Sequence, residues 1–260
     1  MAHTALVTGA SAGIGTEFAR YHASKGGDLV ITARREDSLA ALKTELEGKH
    51  NITVHVIALD LAAPEGADAL YDAVKALGVN VDILINNAGF GGHGKHIDRD
   101  LAAEQAMIDL NIKALVTLTH RFGQDMAKRG FGRILNVGST AGFMPGPLQA
   151  IYFATKAFVN SFSQAIDQEL RGQGVTCCVL APGYVHTEFA DVADLGGTDL
   201  VKQKGAMPSA VAKHGYDAMM AGKLVTVNEA PLGFMVNWVV PLLPRRMALK
   251  MVTRMQSKPA

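Results

Sequence analysis

The sequence predicts an α/β fold: a doubly wound parallel sheet, covered by helices on both faces, in a single domain. Three observations lead there. Apolar β-type runs alternate regularly with helix-type segments from the first residues to about residue 228. The strand runs are apolar nearly throughout, as expected of strands buried on both faces. A glycine-rich turn joins the first strand to the first helix, and open α/β sheets bind ligands beyond their strands' carboxyl ends. A chain of 260 residues with 48% hydrophobic content is large enough for a sizeable core and too apolar for disorder.

Taken in order, Ala5-Leu-Val-Thr8 reads as a buried strand and Ile14 to Lys25 as a helix. Asp28 to Ala33 is the second strand, and Glu36 to Glu47 a charged amphipathic helix. Ile52 to Leu59 is the third strand, followed by a helix from Pro64 to Leu77 with proline near its start, where the missing N–H does no harm. Val81 to Ile85 is the fourth strand, and one long helix is expected from Leu101 to Lys128. Arg133 to Val137 is the fifth strand, Ala150 to Arg171 a helix, and Val175 to Leu180 the sixth strand. Pro208 to Met220 reads as a helix and Leu224 to Val227 as a short seventh strand. No repeat, linker or low-complexity segment interrupts the series, so residues 1–260 read as one domain.

A net charge of +1 gives no electrostatic case for nucleic-acid binding. No apolar run reaches the roughly 18 residues a spanning helix needs. Ala230 to Leu243 comes nearest and is broken by Pro231, Asn237 and Pro241. The start, MAHTALVTGAS, lacks the features of a signal peptide. The two cysteines, Cys177 and Cys178, are adjacent and read as buried core thiols, so nothing points to an oxidising compartment and a cytoplasmic setting is expected.

The turn after the first strand is Thr8-Gly9-Ala-Ser11-Ala-Gly13-Ile14-Gly15, with spacing G-x-x-x-G-x-G. Gly9, Gly13 and Gly15 permit a tight turn and let backbone approach a ligand closely. The helix start behind them, from Ile14, offers free N–H groups and a positive dipole end to a pyrophosphate. Ser11 is compatible with a phosphate contact. The setting predicts a dinucleotide site. At the end of the second strand, where an acidic residue often holds the adenosine ribose, stand Arg34 and Arg35. A carboxylate would repel a 2′-phosphate, whereas guanidinium groups bind it. NADP(H) is therefore preferred over NAD(H); the alternative is that both arginines only cap a solvated helix start. Asp60 and Leu61 end the third strand, where a side chain can meet the adenine. Asn86-Asn87-Ala88-Gly89 ends the fourth. Ala88 and Gly89 let backbone pass close to a flat ring, and Asn86 can equally cross-link strands.

Ser139 follows the fifth strand, and Tyr152 and Lys156 lie four residues apart in the next helix, on one face. A lysine ammonium beside a phenol favours the phenolate and makes tyrosine a usable acid or base near neutral pH.

With these features in order, the chain resembles the short-chain dehydrogenase/reductase family. The resemblance rests on Thr8-Gly-x-x-x-Gly-x-Gly15, Asp60, Asn86-Asn-Ala-Gly89, Asn111, Ser139, Tyr152-x-x-x-Lys156 and Pro182-Gly-x-Val-x-Thr187, spanning roughly residues 5 to 190. It implies an NAD(P)-dependent oxidoreductase on a doubly wound Rossmann fold with sheet order 3-2-1-4-5-6-7. By that resemblance Tyr152 protonates the carbonyl oxygen during reduction, while Lys156 lowers its pKa and holds the nicotinamide ribose. Ser139 hydrogen-bonds the substrate carbonyl, and Asn111 holds a water of the proton relay. Pro182, Gly183 and Val185 belong to the segment that contacts the nicotinamide carboxamide, and Thr187 reaches the phosphates. Asn87, Ala88 and Gly89 line the cofactor. The family also suggests a homodimer or homotetramer built on the long helices 101–128 and 150–171.

Residues 184–222 are expected to form a substrate lid. Tyr184, Phe189 and, near Ser139, Phe143, Met144 and Leu148 make apolar surroundings suited to a hydrophobic ketone or aldehyde; ordinary lid packing explains them equally. Residues 229–260 run past the usual end of the family, similar to a bacterial subgroup of uncharacterised members. The last twenty residues carry Arg245, Arg246, Lys250, Arg254 and Lys258 and no acid, and methionines recur at helical spacing. Such a helix can lie on a membrane surface, on its own domain or on a second subunit. His93 and His96 could be read as a metal pair, but a mobile loop at the site entrance fits better, and no metal is expected. A non-catalytic NADP(H)-binding sensor on the same fold is the alternative function. An intact Asn111, Ser139, Tyr152 and Lys156 set argues against it. A sugar-nucleotide epimerase would need a longer chain with a different glycine spacing.

Overall fold

The structure, a computed structural model, describes residues 3–202 and 204–258. Seven parallel strands form one sheet in the order β3-β2-β1-β4-β5-β6-β7. They are β1 (Ala5–Thr8), β2 (Leu29–Ala33), β3 (Val54–Ala58), β4 (Ile83–Asn86), β5 (Gly132–Val137), β6 (Val175–Leu180) and β7 (Val225–Thr226). Both the fold class and the strand order match the expectation.

Helices cover both faces because the strands are apolar on both. Val7, Ile31, Ile85, Leu135 and Cys178 point to one face. There they meet Phe18 of α1 (Gly13–Ala23), Leu39 and Leu42 of α2 (Glu36–Lys49) and Val211 and Met219 of α8 (Pro208–Met220). Their chain neighbours Leu6, Val30, Leu84, Ile134 and Cys177 point the other way. They meet Leu70 and Val74 of α3 (Gly66–Ala76) and Leu118, Phe122 and Met126 of α5 (Leu115–Arg129). Successive strand side chains alternate faces, so adjacent Cys177 and Cys178 sit on opposite sides of the sheet. Both are free and buried.

Three elements differ from the sequence reading. The long helix expected from Leu101 is interrupted: α4 (Leu101–Ile108) passes through a π-helical segment, Asp109–Ala114, into α5. Pro64 precedes α3 instead of starting it, because Glu65 at the N-cap adopts φ +58° and breaks the helical path. The expected lid divides in two. Its helix α8 packs in the sheet layer against α1, and Val185 and Ala206 join that core, while Ala190, Ala193 and Leu195 around the short α7 (Phe189–Val192) form a separate cluster. Residue 203 of that lid lies outside the described residues, as do residues 259 and 260 of the C-terminal extension.

The extension is helical. α9 (Ala230–Phe234) continues through a π-helical stretch, Met235–Val239, and a 3-10 turn, Val240–Leu242. After Pro244 comes α10 (Arg245–Gln256), which buries Ala248, Val252 and Gln256 against the domain. α6 (Ala150–Leu170) completes the set.

Candidate active site

The chain order reverses between β1 and β4, and the carboxyl ends of these central strands frame a crevice. The glycine turn sits there. Gly9 and Gly13 take φ of +66° and +56°, which L side chains rarely adopt. A Cβ on Gly9 would meet the Ala88 backbone at 2.9 Å, and one on Gly13 would meet Thr187 at 2.9 Å. A Cβ on Gly15 would strike Asn87 and the Gly9 carbonyl. Ile14 packs against the core.

Thr8 and Asn87 hold this turn to β4. The Thr8 hydroxyl accepts from the backbone N–H groups of Asn87 and Ala88, both at 3.0 Å. The Asn87 amide donates back to the Thr8 carbonyl at 2.9 Å and the Gly9 carbonyl at 3.2 Å. Asn87, expected beside the cofactor, also holds the turn in place. Thr8 carries a role that the sequence reading gave only to its glycine neighbours. Asn86 is a cross-link: its amide donates to Asn136 of β5 at 2.9 Å and to Thr119 of α5 at 3.1 Å.

The residues present fit an anionic dinucleotide. At α1, Ala12 occupies the N-cap without a side-chain acceptor, and no acidic residue stands in the first turn. Those leading N–H groups keep their capacity for an anion. Arg35 extends across the turn, donating to the Ser11 carbonyl at 3.1 Å and pairing with Glu188 at 3.0 Å. Arg34 is exposed beside it. Asp60 accepts from Ala62 N–H at 3.0 Å and stands exposed at the end of β3. Leu61 instead buries its side chain in the core.

Ser139 lies two residues beyond β5. Its hydroxyl accepts from Ala141 N–H at 3.1 Å and reaches the Pro182 carbonyl only at 3.4 Å, a bond easily exchanged for a better acceptor. Gly183 is covered by the extension: a Cβ there would meet Leu232 at 2.6 Å. Val185 is buried and bridges to Ala206. Thr187 lies over Gly13 and accepts from Phe189 N–H at 3.3 Å.

Tyr152 and Lys156 share a face of α6, with the Lys156 nitrogen 5.8 Å from the Tyr152 ring centroid. The Lys156 ammonium is buried and donates to the Val137 carbonyl at 2.7 Å. Burial pushes the Tyr152 phenol up to about 12, with the nearby Ser139 hydroxyl opposing. Burial also pulls Lys156 down to about 8. The sequence reading expected the lysine to lower the tyrosine. Burial governs both groups, and the shift of Tyr152 is upward instead.

Asn111 falls inside the π segment. Its carbonyl oxygen accepts from Phe90 N–H at 3.1 Å, and its amide donates to the Phe90 carbonyl at 3.0 Å and the Thr155 hydroxyl at 3.1 Å. Gly89 passes against it, since a Cβ there would meet the Asn111 oxygen at 2.9 Å.

Among the residues expected near the substrate, Phe189 reaches Tyr152, with ring centroids 5.2 Å apart. Tyr184 turns instead into the lid cluster of Ala190, Ala193 and Leu195 and onto the His186 ring. Phe143 and Met144 are half-buried on the turn after Ser139. Leu148 adopts φ +69°, and its carbonyl accepts from Gly94 N–H at 2.8 Å. The loop expected to be mobile is pinned. His93 donates to the Gln256 carbonyl at 2.6 Å, His96 donates to Glu104 at 3.0 Å, and Arg99 pairs with Glu104. Gln149 donates to the Gln256 side chain at 2.7 Å, which ties α10 to the start of α6. No sequence motif marks Gln149 or Gln256; only the placement of α10 brings them together. Among the described residues there is no cluster of metal-ligating side chains.

Residues 3–195 match the short chain dehydrogenase family profile. Sulfoacetaldehyde reductase of Chromohalobacter salexigens is 40% identical over 193 residues, covering 73% of this chain and 75% of that protein. The short-chain dehydrogenase from Sphingobium yanoikuyae, solved in complex with NADPH, superposes with a TM-score of 0.84 at 28% identity, covering 99% of this chain and 98% of that one. The bulky-bulky ketone specific alcohol dehydrogenase from Comamonas testosteroni gives 0.78 at 27% identity, covering 94% and 98%. A profile match running from the first strand past the sixth, with near-complete structural superposition, makes this chain an oxidoreductase of the short-chain dehydrogenase/reductase family.

Proposed function

We propose that the protein is an NADP(H)-preferring carbonyl reductase or secondary-alcohol dehydrogenase acting on a hydrophobic ketone or aldehyde. The observation that carries this reading is the meeting of Ser139, Tyr152 and Lys156 at the strand ends beside the glycine turn. When bound, the nicotinamide supplies or receives hydride at the substrate's carbonyl carbon. The protein's share is proton delivery and orientation. As negative charge develops on the carbonyl oxygen, Ser139 releases its long bond to Pro182 and donates to that oxygen. Tyr152, a neutral phenol with its pKa raised by burial, gives the proton. Lys156, anchored on the Val137 carbonyl, holds positive charge next to the phenolate that results. Asn111 fixes the Phe90 backbone at the crevice wall.

The NADP(H) preference rests on Arg35 and Arg34. Arg35 already lies over the turn on Ser11, where a 2′-phosphate would compete with Glu188 for its guanidinium. The substrate class rests on the contact of Phe189 with Tyr152 and on half-buried Phe143, Met144 and Leu148. A sulfonate such as the substrate named for the Chromohalobacter relative would need a cation nearby. Arg99 is engaged by Glu104 and by the His93 carbonyl. The ketone named for the Comamonas enzyme suits the apolar surroundings better. Exposed Leu101 on α4 and Phe158 on α6 support assembly into a dimer or tetramer through these helices.

The test is NADPH and NADH oxidation, followed at the nicotinamide absorbance, over bulky ketones, short aldehydes, sulfoacetaldehyde and 3-oxoacyl thioesters. Turnover of bulky ketones with NADPH, reduced about 10²- to 10⁴-fold in Tyr152→Phe with cofactor binding kept, is expected. Binding of NADPH with no turnover on any class would sink the enzyme reading in favour of a sensor.

A further inference from the structure

The C-terminal extension carries an apolar face that nothing in the chain covers. From Ala230 to Pro244 there is no charged residue. The helical stretch there buries Val236, at 1% exposure, and Val240 one turn on. Its opposite face presents Phe234, Trp238 and Leu242 at 63%, 68% and 85% exposure, each one turn from the next. Met235 and Val239 are also exposed along this stretch. A water-soluble surface rarely concentrates large apolar side chains in this way unless something docks on it.

Charge says what docks. After Glu229 the chain holds Arg245, Arg246, Lys250, Arg254 and Lys258 and no acid. With a whole-chain charge of +1, these five leave residues 1–229 at −4. The extension is therefore basic on a chain that is otherwise net acidic. Lys258 pairs with Asp194, but Arg245, Arg246, Lys250 and Arg254 are exposed and make no ion pair among the described residues. Met247, Lys250, Met251, Arg254 and Met255 line one cleft together with Asp199 of the lid, so apolar and basic groups of α10 share that face with one carboxylate beside Arg254. Leu242 and Arg245 join the two segments. An apolar helix with an interfacial tryptophan, followed by unpaired cations, is complementary to a bilayer with anionic headgroups. Among the described residues no helix is long and apolar enough to cross a membrane, so the contact would lie in the plane of the surface.

We propose that the face made by Phe234, Trp238 and Leu242, with Arg245, Arg246, Lys250 and Arg254 beside it, docks the protein on an anionic lipid bilayer. The apolar side chains enter the acyl boundary while the cations stay at the headgroups. The docking is independent of the reaction and of the cofactor preference.

Trp238 is the only tryptophan, so its emission reports this face alone. Full-length protein is mixed with phosphatidylcholine vesicles and, separately, with vesicles containing phosphatidylglycerol. Expected are a blue shift and co-sedimentation with the anionic vesicles only, reversed by salt. Arg245→Glu/Arg246→Glu should weaken partitioning at least about tenfold. Leu242→Asp should abolish the shift, with melting temperature and nicotinamide binding unchanged. Equal binding to both vesicle types, or to neither, overturns the proposal. So does a blue shift that follows protein concentration without lipid and coincides with dimerisation, since a second copy would then cover the face.

Discussion

Lys156 carries a charge where the fold disfavours one. The fall of its pKa from 10.5 to about 8 corresponds to about 3 kcal/mol against the buried ammonium. Between about pH 8 and 10.5 the unfolded chain keeps a proton that the folded protein has released. Stability from this site therefore rises with pH across that window and is fully penalised below it. The buried cysteines act oppositely: burial raises both thiols, Cys178 to about 12, so the unfolded chain ionises first and stability falls with rising pH. Lys156→Met removes only the first effect. In urea unfolding, the variant's gain over wild type should shrink by about 2 kcal/mol from about pH 7.5 to about pH 9.5. A constant gap would mean that the ammonium is not disfavoured. Turnover should be lost in the same variant, since the charge that destabilises the fold is the one proposed to hold the phenolate.

At the scale of elements, the π segment between α4 and α5 decides where Asn111 points. A π bulge rotates the helix face that follows it and leaves a side chain free to bond elsewhere. Here the Asn111 amide takes both backbone groups of Phe90 and the Thr155 hydroxyl. Asn111→Leu leaves the Phe90 pair without partners, and should lower unfolding free energy by about 1–3 kcal/mol and cut turnover. Unchanged stability would show that these bonds are replaced by solvent. None of this was legible in the sequence, where Leu101 to Lys128 shows one uninterrupted helical pattern. The strands were legible because burial on both faces leaves an unbroken apolar run, and β1 and β6 were bounded as they stand. The site was legible where chemistry demands a residue type, at the glycine turn and at Tyr152 and Lys156. The contacts of a side chain were not legible where its partner is distant in sequence. Asn87 binds the turn, Tyr184 binds the lid, and Gln149 meets Gln256 across 107 residues. Periodicity is local, and these contacts are not.

For the whole molecule, ligand linkage tests the cofactor preference without requiring a substrate. A cofactor at a hundredfold excess over its Kd adds about 2.7 kcal/mol and should raise Tm by about 5–10 °C. NADPH should give the larger rise at equal concentration. Arg35→Ser, which removes the group lying over Ser11, should shrink that rise and leave the NADH rise in place. Equal loss with both cofactors would mean that Arg35 serves the turn and not the 2′-phosphate.

The opposite-facing burial of Cys177 and Cys178 has a practical consequence. Neither sulfur reaches solvent in the folded protein, and both thiols resist ionisation. A maleimide dye or nitroxide would find no native attachment point, so no cysteine-free background has to be built. One cysteine introduced at Leu242 would take a single label, placing a spectroscopic ruler on the extension while the native sulfurs stay silent.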